Sequence, residues 1–271
     1  MTFPSFRNPP VTEVVVAVAF QPLERLTVVQ MVDLWHASFA ARFTEVQEQP
    51  PYVPPIEQFG GPLPGQQLSI VLTQLSAARR LWFLTEDGQE LLQLQRDWFA
   101  CNWRKVGPES EYERWPSRRD AFSRWYREFE KFVAEHRLGA IQPTQCEVTY
   151  INSIPAGDIS TGLDPSSLIR IVRHTQGGFL PAPEQTQFAV RYPIPDDKGI
   201  PIGRLHVELQ PALNRADGKP LVVLNLTARG RPYDSSHEGV LRFLEQAREW
   251  VVKGFAELTT EEMQRRWERY G

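Results

Sequence analysis

Apolar residues along this chain alternate between runs of period two and stripes of period three to four, and the switches mark its elements. "TEVVVAVAF" (12–20) is a β-branched run that follows Pro9-Pro10 and stops before Pro22, so it predicts a buried strand. In "LTVVQMVDLWHASFAARF", Val28, Val32, Trp35, Phe39 and Phe43 recur at helical spacing, and Thr27 with Gln30 forms a capping box. From Gln47 to Gln67 the chain is rich in proline and glycine, which forbids a regular element. Its Tyr52, Val53, Ile56 and Phe59 predict an extended segment laid over the protein rather than a free tether.

Three apolar runs follow: "LSIVLTQL", "RRLWFLTED" and "ELLQLQRDWFACNWRKV". With Asp87-Gly88 as a hairpin turn, they predict an antiparallel meander over 68–106. Interleaved rings and cations in "QRDWFACNWRK" are also what a single-stranded nucleic-acid platform uses. Period two favours a core instead. The apolar set changes face near Asp97, which predicts a bulge or bend there and lets Leu92, Leu94, Phe99, Cys101 and Trp103 face one core.

"EYERWPSRRDAFSRWYREFEKFVAEHRLG" predicts a second helix, with Pro116 in its first turn and Phe122, Trp125, Phe129 and Val133 on one stripe. Arg118 and Arg119 stand at the disfavoured end of its dipole, which calls for acidic partners nearby. The order then restarts. "QCEVTYINSIP" reads as a strand and "DPSSLIRIVRH" as a short helix. "EQTQFAVRYPI", "GRLHVELQPAL" and "PLVVLNLTARG" read as a second meander, and "SSHEGVLRFLEQAREWVVKGFAEL" as an amphipathic helix. A short helix in "LTTEEMQRRWERYG", capped by Thr259 with Glu262, closes the chain, docked by Met263 and Trp267. The expected fold class is therefore α+β: a strand–helix–antiparallel meander–helix unit that occurs twice, helices packed on curved antiparallel sheet. The halves are 1–139 and 140–271, in one compact two-lobed body. Only the element order repeats; the residues do not.

Composition changes this picture little. The chain has 271 residues, 41% of them hydrophobic and 23% charged, an ordinary globular balance. A net charge of −3 disfavours nonspecific phosphate binding, so any nucleic-acid surface would have to be local. "VVVAVAF" is too short to span a membrane, and the first residues lack the pattern of a signal peptide, which together predict a cytoplasmic location. The two cysteines, Cys101 and Cys146, read as reduced, buried thiols.

The sequence contains no phosphate-binding glycine loop, HExxH, CxxC or GxSxG pattern, and its five histidines lack ligand spacing. No metal and no cofactor are expected. Asp196-Asp197 reads as turn chemistry, and His206 with Glu208 as a polar strand face. The candidate ligand-binding residues are cationic: Arg173 and His174 in the polar loop "RHTQGG", and Arg229 and Arg231 at the end of the last meander strand. Arg96, Arg104 and Lys105 hold the corresponding place in the first half. Joined, they would form a rim for a small anion.

"NPPVTEVVVAVAFQPL", "LLQLQRDWFACNWRK", "CEVTYINSI" and "AREWVVKGFAELTTEEMQRRW", in that order, resemble a sporadically distributed family of uncharacterised bacterial proteins. The resemblance implies a soluble bacterial protein and supplies no catalytic residues. The element order is also similar to duplicated folds of the TATA-binding-like and helix-grip kinds, a likeness that carries no function. Two readings follow. In the first, the chain is a non-catalytic binding or assembly module that uses a sheet surface or the groove between halves. Its partner would be a protein or a small anionic ligand, with self-association open and nucleic acid disfavoured. In the second, it is an enzyme whose polar site gathers around the loop 173–178 and the meander ends.

Overall fold

The computed structural model describes residues 3–59, 79–107, 109–160, 163–172, 179–180, 183–214 and 216–270. The predicted strand "LSIVLTQL" and the loop 173–178, with Arg173 and His174, lie outside them.

A nine-stranded sheet, antiparallel throughout, is built around two central strands, β2 (Val11–Phe20) and β7 (Pro143–Pro155). Outward from β2 come β6 (Trp98–Arg104), β5 (Glu90–Gln95), β4 (Arg80–Leu84) and the edge strand β3 (Glu45–Gln49). Outward from β7 come β10 (Pro220–Gly230), β9 (Pro201–Leu213) and β8 (Phe188–Pro195). β2 pairs with β7 from Val11–Asn152 to Phe20–Pro143, so a single sheet runs through both halves of the chain. β1 (Ser5–Phe6) pairs with β11 (Arg269–Tyr270) in a separate two-stranded ribbon.

One sheet face carries the helices. α1 (Val28–Leu34) has the predicted Thr27–Gln30 capping box and runs on as a π-helical turn through Trp35–Phe39. α2 (Trp115–Glu135) covers the first half and α3 (His237–Leu258) the second. Alternation along β2 sends Val14, Val16, Val18 and Phe20 into this core. There Phe99 stacks on Phe129 with ring centroids 5.4 Å apart. Gly203 and Gly230 pair across β9 and β10 because Phe243 of α3 rests on them; a Cβ on Gly230 would stand 2.6 Å from that ring. Arg118 meets Glu113 and, at 2.8 Å, Glu90, while Arg119 meets Glu245 at 2.7 Å, which relieves both from the helix dipole.

The structure departs from the sequence reading at four places. Gln95 pairs with Trp98 across a two-residue turn at Arg96-Asp97, so "ELLQLQRDWFACNWRKV" is a hairpin rather than one bent strand. The turn accounts for the change of face, and it leaves Phe99, Cys101 and Trp103 packed in the core. "DPSSLIRIVRH" forms only a 3₁₀ turn at Pro165–Ser167, after which Ile169 bridges to Thr259. β3 begins before the proline-rich stretch and claims its first residues. Finally, α4 (Glu261–Arg266) is capped by Thr260, because Thr259 is fully buried and donates to the Phe255 carbonyl. Met263 and Trp267 do dock this helix.

Candidate ligand site between the halves

A cavity of about 330 Å³ opens on the helix side, where the first and second halves meet. β7 supplies Tyr150 and β10 supplies Leu226; α3 supplies Arg248, Val251 and Phe255. The segment leading into α2 supplies Tyr112 and Arg114, α2 supplies Trp115, and β1 closes the cavity with Phe6. Phe6 is held there edge-on to Phe255 and Trp267, so docking of the C-terminal helix fixes one wall.

Its polar groups are few and concentrated. The hydroxyls of Tyr112 and Tyr150 are 2.8 Å apart. Two phenols sharing one hydrogen bond leave one proton for another acceptor. Burial raises both above the ordinary phenol value, so both stay protonated at neutral pH. Arg248 lies beside them, its guanidinium 4.1 Å from the centre of the Phe3 ring. Its Nε is buried without a hydrogen-bond partner, and no acidic side chain among the described residues forms a salt bridge with it. Arg114 occupies the N-cap position of α2, yet its side chain makes no cap. Apolar walls, two phenol hydroxyls and two arginines without carboxylates suit an anion with an apolar body.

The cationic residues expected to share a rim are dispersed. Arg96 sits in the β5–β6 turn and pairs with Glu24 at 3.1 Å. Arg104 donates to the Gly88 carbonyl at 2.8 Å, and Lys105 follows it, exposed, just past β6. Arg229 lies in the row of Glu147, Ala17 and Ala100, whereas Arg104 lies in the row of Glu13, Ile151 and Asn225. β6 and β10 run in opposite directions, because each is antiparallel to one of two strands that are antiparallel to each other. Their C-terminal ends therefore lie at opposite ends of the sheet, and Arg104 and Lys105 do not meet Arg229 and Arg231.

Arg229 and Arg231 belong to a different assembly, on the sheet face away from the helices. A strap of residues 50–59 crosses that face, from β5 and β6 at Tyr52 to β7 and β9 at Glu57. Glu57 on the strap pairs with Arg204, with His206 at 2.6 Å and with Arg229 at 3.6 Å. Burial alone would raise its carboxyl, but hydrogen bonds from His206 and Arg204 hold it at about 2. Arg229 also pairs with Glu147 at 2.7 Å, and Arg231 stands over the Phe59 ring. His206 thus finds its carboxylate on the strap rather than at Glu208.

A third cluster ties α2 to α3. His237 accepts or donates at Nδ1 with Glu130 at 2.8 Å, and its Nε2 lies 2.9 Å from the Ser123 hydroxyl. Hydroxyl, imidazole and carboxylate in that order activate a nucleophile in hydrolases. Here Arg127 Nε approaches the same imidazole nitrogen at 3.3 Å, so Ser123 shares its acceptor. Burial raises the Glu130 carboxyl despite its contact with His237.

Among the described residues no group of histidine, cysteine and acidic side chains could hold a metal ion, and no helix is long and apolar enough to cross a membrane. Cys101 and Cys146 are free thiols, and burial pushes both thiols up, away from thiolate chemistry. Compared with protein-family models, with curated proteins and with solved structures, the chain finds no match.

Sequence reasoning missed the cavity. Tyr112, Tyr150 and Arg248 are 38 and 98 residues apart, read from their numbers, and none belongs to a local motif. The local signal pointed the wrong way: Glu245 stands three residues before Arg248 on α3, a spacing that suggests an ion pair, yet Glu245 pairs with Arg119 and Glu249 with Lys253.

Proposed function

We propose that the chain is a non-catalytic binding module that takes a small amphipathic carboxylate between its two halves. The observation that carries this reading is Arg248: a guanidinium with no salt bridge among the described residues, in one cavity with two phenol hydroxyls and apolar walls. An enclosed carboxylate would accept from the guanidinium and from the spare phenol proton, while Val251, Phe255, Trp115 and Leu226 cover the apolar body. The volume suits an acid of about ten carbon atoms. The catalytic alternative would place its nucleophile at Ser123, whose acceptor is shared with Arg127, and we do not adopt it.

The order of strands outward from β2 (β6, β5, β4) and from β7 (β10, β9, β8) supports a repeated strand–meander–helix unit, with the site at the junction of the repeats and a 3₁₀ turn where the second repeat's first helix was expected. The four quoted segments support a place among sporadically distributed, soluble bacterial proteins, with a cytoplasmic location.

Isothermal titration with decanoate and with decanol tests the carboxylate reading. Decanoate is expected to bind at least about tenfold more tightly than decanol, and Arg248→Met to remove the difference. Equal affinity for acid and alcohol, or no binding of either, would overturn the proposal.

A further inference from the structure

The strap is seated as a ligand is seated in a groove. Four of its residues, Pro50, Pro51, Pro54 and Pro55, lack an amide proton, so it cannot join the sheet as a strand. Two glutamines of the sheet hold its backbone instead. Gln95 accepts from the Tyr52 amide at 2.8 Å and donates to the Tyr52 carbonyl at 2.9 Å. Gln145 accepts from the Glu57 amide at 2.9 Å and donates to the Pro55 carbonyl at 2.5 Å. Each glutamine is only 3% exposed. Burying an amide side chain costs free energy unless both its ends are bonded, and here both are bonded to the backbone of a crossing chain.

Between these grips lie places for side chains. Tyr52 packs edge-on to Trp98 with centroids 5.0 Å apart, with Arg80 over its ring. Ala17, Ala19 and Ala100 keep the sheet surface low beneath that contact. Glu57 enters the pocket of Arg204, His206 and Arg229, and Phe59 lies under Arg204 and Arg231. The outward residues Val53 and Ile56 are 66% and 73% exposed, so they contribute little to holding the strap down. Backbone grips plus alternate side-chain pockets are how proteins recognise extended peptides, proline-rich ones among them.

We infer that this sheet face is a recognition groove for an extended, proline-rich partner peptide that presents an aromatic residue, a glutamate five positions on and a second aromatic two beyond, and that the strap is its resident occupant. The charges decide the partner's sign. Two arginines and a histidine converge on one carboxylate, so a basic or neutral residue at the glutamate position leaves Arg204 without a carboxylate. The strap competes at an effective concentration on the order of millimolar, so wild-type protein binds such a peptide only weakly until its own segment is loosened. This inference does not rest on the cavity between the halves.

The test is fluorescence anisotropy with a labelled peptide, QPPYVPPIEQF. It is run against wild-type protein and against a variant carrying Tyr52→Ala with Glu57→Gln, with fold checked by circular dichroism. The variant is expected to bind the peptide at least about tenfold more tightly than wild type, as a one-to-one complex. A peptide with glutamine for glutamate, or a further Arg204→Ala substitution in the protein, should lose most of that gain. A folded variant that binds no better than wild type overturns the inference, and so does a variant that only dimerises. Hydrogen exchange on wild-type protein covers the case in which the variant does not fold. The Tyr52 and Glu57 amides should exchange at least about tenfold faster than those of β2 and β7, and exchange only with global unfolding overturns it.

Discussion

Toward the helices the sheet presents Val14, Val16, Phe99 and Leu226; toward the strap it presents Gln95, Gln145, Glu147 and Arg229. Both sets are largely removed from water, but they are held by different physics. On the helix side, stabilisation scales with apolar area and tolerates no empty space. On the strap side, every buried polar group needs its own partner, so stability depends on a short set of specific contacts. The first arrangement suits a permanent core. The second suits a contact that forms and breaks as a unit, because losing one partner strands several others.

That contrast predicts unequal responses to substitution. Phe99→Ala empties a fully buried position between Phe122, Tyr126 and Phe129, and should destabilise the whole molecule by about 3–5 kcal/mol. Urea unfolding followed by far-ultraviolet circular dichroism should show the lowered midpoint. A midpoint unchanged by this substitution would break the distinction at its stronger side.

Glu57→Gln should act locally. It leaves Arg204 without its carboxylate, while Arg229 keeps Glu147, and costs roughly 1–3 kcal/mol once partial exposure of the strap is allowed for. Low pH should imitate it. The Glu57 carboxyl falls from its ordinary 4.5 to about 2 in the folded protein, so its contribution is complete above 4.5 and is lost as pH falls toward 2. Trp98 fluorescence should report release of Tyr52 in that window before helical signal is lost, and Glu57→Gln should abolish the step. Simultaneous loss of both signals in the wild type would merge the two faces into one cooperative unit.

The smallest expected effect belongs to a helix end. The Ser236 hydroxyl accepts from the Gly239 amide at 2.9 Å, so Ser236→Ala should cost about 1 kcal/mol without moving the strap signal. Thermal unfolding of the two proteins side by side would measure it.

The helix-side face was the more legible in the sequence, and the reason is physical. Apolar alternation in β2 and in β10, and the stripe Phe122, Trp125, Phe129 and Val133, are periodic signals that local spacing reveals. The strap face carries no period. Gln95 and Gln145 look like ordinary solvent-facing strand residues until the crossing chain is in place. The Arg96-Asp97 turn was hidden because apolar runs on both sides made one long strand plausible, and turn residues other than glycine give a weak signal. Candidate cations were misgrouped for a similar reason. Arg104 and Arg229 hold matching sequence positions, but antiparallel pairing of β2 with β7 sends matching positions to opposite ends of the sheet.

The ribbon of Ser5–Phe6 with Arg269–Tyr270 brings the start and finish of the described chain side by side. A short linker could therefore join them, and new ends could be cut in the turn at Asp217-Gly218, between β9 and β10, with every strand keeping its neighbours. In such a circular permutant the wall of the cavity that now rests on a two-residue ribbon would become continuous chain. The ends of the described chain also make a poor place for bulky fusions, since Phe6 and Tyr270 line that cavity.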